Sequence, residues 1–147
     1  MSKVIAPYHL VFATKNRRTT IPAELRRDVF KMLFSILQER KCHVYRINGT
    51  SNHVHILFEL HPSAALADMV KELKTRTSFW MHRDDRFKYF NGWCSEYFAE
   101  VVARDSIDSV IEYIKNQESH HGAISLEDEM VNFYSRNHWI FLPEYFD

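Results

Sequence analysis

The feature that most constrains this chain is the order in which two kinds of hydrophobic pattern alternate along it. Pro7 to Thr14 is aromatic and β-branched and reads as a strand. Ile21-Pro22-Ala23-Glu24 then opens a helix, and Leu25, Val29, Met32, Leu33, Ile36 and Leu37 recur at helical spacing to about Arg40. Cys42 to Asn48 and His53 to Leu60 read as two strands, with Asn48-Gly49 as a hairpin turn between them. Ser63 is a predicted N-cap for a helix with Leu66, Met69, Val70 and Leu73 on its buried stripe. Trp93 to Ala103 reads as a fourth strand. A third helix follows, capped by Asp105 or Ser106, running to about His121 and stopped by Gly122. A short helix over Leu126 to Arg136 and an aromatic tail close the chain. The order β-α-β-β-α-β specifies an α+β, ferredoxin-like or RRM-like antiparallel sheet with two helices on one face. The additional C-terminal helical segment, which carries Tyr113, is then expected over the other face.

Within that frame, Asn52-His53-Val54-His55-Ile56-Leu57 stands out. Side chains alternate along a strand, so His53 and His55 share a face, about 7 Å apart. Val54 and Ile56 point the other way. Two imidazoles so held can close on one metal ion, although with nine histidines in 147 residues the pair can also arise by chance. On the third helix Tyr113 and Gln117 are spaced i and i+4, hence neighbours. Gln117 offers a neutral carbonyl oxygen as a third ligand. Two imidazoles and an amide oxygen suit Mn²⁺ or Mg²⁺ better than structural zinc. The ordinary alternatives are a half-buried tyrosine with a wet hydroxyl and a surface glutamine.

Composition narrows the class. A hydrophobic fraction of 46% and 14% aromatic residues describe a globular chain, with a single domain expected over residues 1–147. Only 3 Gly and 4 Pro leave no evident linker. No apolar run is long enough for a membrane span, and the N-terminus lacks the apolar stretch of a signal peptide, so a cytoplasmic location is expected. Cys42 and Cys94 form no metal or redox motif. A formal net charge of zero argues against a surface coated for nucleic acid, while leaving room for local patches. Lys15, Arg17 and Arg18 form one such patch, and Lys71, Lys74 and Arg76 another; Glu127-Asp128-Glu129 reads as offsetting acidic surface.

The chain resembles the HUH-type single-tyrosine transposases, the IS200-like TnpA family of insertion sequences that move as single-stranded DNA. The resemblance rests on Tyr8-His9-Leu10-Val11-Phe12-Ala13-Thr14-Lys15-Asn16-Arg17-Arg18, on Asn52-His53-Val54-His55-Ile56-Leu57, and on Tyr113-Ile114-Lys115-Asn116-Gln117 with His120-His121. These pieces occur in the family's order and cover about residues 7–121, a catalytic core, with 122–147 as C-terminal helix and tail. One departure is that Trp93 is followed by Cys94-Ser95-Glu96-Tyr97-Phe98, where the family often has a Gly-Tyr turn.

The resemblance implies that Tyr113 is the nucleophile, that His53, His55 and Gln117 hold Mg²⁺ or Mn²⁺, and that Lys15, Arg17, Arg18, Lys71, Lys74 and Arg76 are candidate DNA contacts. It implies metal-dependent cleavage and rejoining of single-stranded DNA at hairpin-bearing element ends through a 5′-phosphotyrosine, in the bacterial cytoplasm and at the nucleoid when DNA is bound. It also implies a homodimer whose two sites each draw on both chains. Competing readings are a domesticated endonuclease acting on repeated chromosomal hairpins, a non-catalytic nucleic-acid-binding module, and a hydrolytic metalloenzyme that forms no covalent adduct.

Overall fold

The computed structural model describes residues 3–117, 125–142 and 144. Four strands, β1 (Pro7–Ala13), β2 (His43–Gly49), β3 (His53–Glu59) and β4 (Phe98–Val101), form one antiparallel sheet in the order β2-β3-β1-β4. The central strands β1 and β3 run in register from Pro7 opposite Glu59 to Ala13 opposite His53. Helices α1 (Arg26–Glu39) and α2 (Leu66–His82) cover one face. The core beneath them takes alternate residues from the two central strands: Leu10 and Phe12 from β1, Val54, Ile56 and Phe58 from β3. This is the βαββαβ arrangement expected from the alternating pattern.

The opposite face carries His9, Val11 and Ala13 from β1 and His53, His55 and Leu57 from β3. Two further helices cover it, α3 (Ile107–Lys115) and α4 (Leu126–Arg136). The α3 side packs Ile114 on Leu57 and Val102, and Asn48 Nδ2 donates to the carbonyls of Ile114 (3.0 Å) and Lys115 (3.1 Å). From α4, Leu126, Met130 and Phe133 pack on Val11, Ala13 and Phe98. Ser125 caps α4 through its side chain, which accepts from the Asp128 amide at 3.1 Å. At the far end Arg136 Nη2 bonds Glu100 Oε1 of β4 at 2.8 Å.

Several boundaries differ from the sequence expectations. Gly49 is not a turn residue: it pairs with Val54 inside the ladder, and the turn is Thr50-Ser51-Asn52. A Cβ at Gly49 would lie 2.4 Å from the His53 carbonyl oxygen, so the close approach of the two strands requires glycine there. Ser63 does not cap α2, which begins at Leu66 after Ala65; its hydroxyl instead sits 2.7 Å from His61 Nδ1. The fourth strand is only Phe98–Val101. Trp93 makes an isolated bridge to Thr14, and Cys94 to Tyr97 bend before the strand begins, at the point where the sequence departs from the family pattern. Finally, α3 spans Ile107–Lys115 with Asn116 as its cap, Gln117 is again helical, and the remainder of the span expected to reach His121 lies outside the described residues. His120, His121, Gly122 and the tail residues Pro143 and Tyr145 to Asp147 lie outside the described residues. Among the described residues no helix is long and apolar enough to cross a membrane.

Candidate active site

The alternation of β3 sets His53 and His55 on the face that α3 and α4 close over, and both imidazoles are fully buried. Each ring is oriented through its Nδ1. For His53, Nδ1 lies 2.8 Å from Asn52 Oδ1 and 2.9 Å from Thr50 Oγ1. The Asn52 amide is itself fixed, because Nδ2 donates to the Arg17 carbonyl at 3.1 Å. Asn52 Oδ1 can only accept, so His53 Nδ1 donates to it and Nε2 is the nitrogen left to face the site. That Nε2 faces Gln117 Oε1 at 3.2 Å. The Gln117 orientation is set from its other end, where Nε2 lies 3.4 Å from Glu129 Oε2 and 3.5 Å from the Tyr113 carbonyl. A ring nitrogen and an amide oxygen, two atoms of the kinds that ligate divalent ions, therefore face each other in a fully buried place.

His55 is held by a neighbour that sequence reasoning did not single out. His9 of β1 is buried, and its Nε2 lies 2.8 Å from His55 Nδ1. Burial, first, and then the charges of His55 and Arg136 hold His9 well below the usual histidine range, so it is neutral. A neutral ring beside the outer nitrogen of a candidate ligand orients that ligand and fixes its tautomer.

His55 Nε2 lies 3.0 Å from Glu129 Oε1. Here the structure corrects the sequence reading: Glu129 is 1% exposed and is not part of an acidic surface, unlike Glu127, which is exposed and pairs with Arg17 at 3.0 Å. The signal was present in the spacing, since Leu126, Glu129, Met130 and Phe133 all fall on the buried stripe of α4. Burial pushes the Glu129 carboxyl up to about 8. His53, His55 and Glu129 each offer a ligand atom, and these atoms lie within 4.8 Å of one another. With Gln117 Oε1 beside His53, the donor set is two nitrogens and two oxygens, which fits a divalent ion of intermediate hardness.

Tyr113 projects from α3 into the same cluster. Its ring centroid is 6.0 Å from that of His55 and 6.2 Å from that of His9, and its hydroxyl donates to Glu129 Oε2. Gln117 stands just past Asn116, the C-cap of α3, and its amide nitrogen still approaches the Tyr113 carbonyl. All of these side chains belong to one chain. Asn48 fastens α3 to the same sheet that carries the histidines.

The candidate DNA contacts divide. Lys15, Arg18 and Lys71 are exposed. Arg17 pairs with Glu127, and Arg76 with Glu39 (2.6 Å) and Glu72 (3.7 Å). Lys74 is a structural residue: its ammonium donates to the carbonyls of Cys94, Ser95 and Glu96 and stabilises the bend before β4, and burial lowers its pKa.

Comparison with known proteins points to one family. The sequence model of the family described as "Transposase IS200 like" matches residues 3–117. The transposase for insertion sequence element IS200 of Salmonella typhimurium is 30% identical over 115 residues, 75% of each chain. The ISDra2 transposase TnpA of Deinococcus radiodurans is 26% identical over 115 residues, 75% of this chain and 82% of that one. Among solved structures, a REP-associated tyrosine transposase bound to a REP hairpin superposes with a TM-score of 0.64 at 10% identity, covering 98% of this chain and 88% of that one. A Deinococcus radiodurans protein described as a transposase superposes with a TM-score of 0.61 at 23% identity, covering 80% of this chain and 95% of that one. This chain belongs to the IS200-like transposase family.

Proposed function

We propose that this protein cleaves and rejoins single-stranded DNA at hairpin-bearing element ends, with Tyr113 as nucleophile. The observation that carries the reading is the convergence of Tyr113, Gln117, His53 and His55 in one cluster of one chain. Tyr113 Oη forms a bond to the scissile phosphorus and the P–O3′ bond breaks. The 3′ oxygen leaves with the electron pair and takes up a proton, so the products are a free 3′ hydroxyl and a 5′-phosphotyrosine. Attack of a 3′ hydroxyl on that ester then joins strands, without any input of ATP. His53, His55 and Gln117 would hold Mg²⁺ or Mn²⁺; bound there, the ion supplies Lewis acidity that polarises the phosphate and offsets its developing charge. The packing of α3 keeps the Tyr113 hydroxyl beside the histidines and so lowers the entropic cost of attack.

Of the candidate DNA contacts, Lys15, Arg18, Lys71 and Arg76 are exposed and would meet phosphates, which gives affinity that falls with salt. The family resemblance implies a homodimer whose two active sites each draw on both chains. The protein would work in the cytoplasm and sit at the nucleoid when bound to DNA.

The test is a denaturing gel with metal, protein and labelled single-stranded hairpin DNA carrying the element's end. A labelled protein–DNA adduct is expected that needs the metal and disappears with Tyr113→Phe. His53→Ala should abolish cleavage and leave hairpin binding intact. Cleavage without any adduct would instead support a hydrolytic enzyme.

A further inference from the structure

Glu129 stands among the potential ligand atoms but has no role in the function proposed above, and its carboxylate meets three polar side chains of the cluster. One carboxylate oxygen faces His55 Nε2 at 3.0 Å; the other receives the Tyr113 hydroxyl and lies 3.4 Å from Gln117 Nε2. Placing a carboxylate on the apolar stripe of α4, 1% exposed, is costly unless it is bonded or bound to a cation. Its neighbours are suited to the second case. His53 Nε2 and Gln117 Oε1 lie 3.2 Å apart, and Glu129 brings a carboxylate oxygen within 4.8 Å of the ligand nitrogens of His53 and His55.

We propose that Glu129 is a further ligand of the divalent ion held by His53, His55 and Gln117, binding through the oxygen that faces His55 while the other oxygen anchors the nucleophile Tyr113. The inference rests on the metal centre proposed above and deepens it. One side chain from α4 then ties together the ion and the attacking hydroxyl, which α3 and β3 otherwise supply separately. It also supplies the one negative charge in a donor set of otherwise neutral groups, so most of the electrostatic attraction for the ion comes from Glu129.

The test is Mn²⁺ binding to metal-free protein without DNA, measured by titration calorimetry and by the loss of the free Mn²⁺ electron paramagnetic resonance signal. Wild type should bind one ion, and His53→Ala should bind none. Glu129→Gln, which keeps the shape of the side chain, should weaken binding by about tenfold or more. Equal affinity of Glu129→Gln and wild type overturns this inference alone. Absence of Mn²⁺ binding by wild type overturns the metal centre itself, and this inference with it. Circular dichroism reports whether Glu129→Gln is folded. If it is not, Glu129→Asp, which retracts the carboxylate by one methylene, decides: a clear loss of affinity supports the assignment and an unchanged affinity overturns it.

Discussion

Glu129 shows how one residue's meaning depends on the face it occupies. Its carboxyl is raised to about 8 by burial, so without metal the folded state binds that proton more tightly than the unfolded chain does. The sign follows directly. The stability this group contributes is fully present below its unfolded value near 4.5 and is lost as pH rises through about 8. In chelator, the melting temperature of wild type relative to Glu129→Gln should therefore fall between about pH 5 and about pH 8.5. Taking the difference against the Gln variant cancels His9, whose lowered pKa acts in the opposite direction. A difference that stays flat with pH would contradict the burial account. The histidine pair and Tyr113 were legible in the sequence because strand alternation and helical spacing are local rules. Glu129 was hidden in the run Glu127-Asp128-Glu129, where charge masked the apolar spacing that sets its face. His9 was legible only as part of a strand, since its role depends on the register of β1 against β3.

Among the elements, α4 is the one that closes the site. With α3 it leaves His53, His55 and Gln117 fully buried, so a DNA phosphate reaches them only when this cover gives way. Hydrogen exchange followed by mass spectrometry should show faster exchange in Leu126–Arg136 when hairpin DNA is added. Unchanged protection during active cleavage would mean that the strand enters by another route. The strands and the first two helices follow closely from hydrophobic period, and α4 has the span that its spacing predicts. The errors lie where tertiary contacts override local signals. Asn48-Gly49 has the composition of a hairpin turn, but close packing on the His53 carbonyl draws Gly49 into the ladder. Strand four reads long because Trp93 to Ala103 is aromatic and β-branched. The ammonium of Lys74 instead gathers three carbonyls of that stretch into a bend.

At the scale of the molecule, α3 lies on its own sheet beside the histidines, whereas the family resemblance implies sites that draw on two chains. Mixing Tyr113→Phe with His53→Ala protein is the corresponding test. Sites built in one chain give no cleavage in the mixture, whereas sites shared between two chains restore a fraction of activity. A net charge of zero leaves local use of the cations open: Arg17 pairs with Glu127, Arg76 with Glu39, and Lys74 binds three carbonyls before β4, while Lys15, Arg18 and Lys71 stay exposed. The central claim is the covalent step at Tyr113, and the composition around it makes the claim directly measurable. Trypsin cleavage after Arg104 and after Lys115 releases Asp105 to Lys115, in which Tyr113 is the only tyrosine. After reaction with single-stranded hairpin DNA and nuclease trimming, mass spectrometry should find this peptide carrying a 5′-linked nucleotide. A nucleotide on a peptide with any other tyrosine, or cleaved DNA with no modified peptide, would contradict the account.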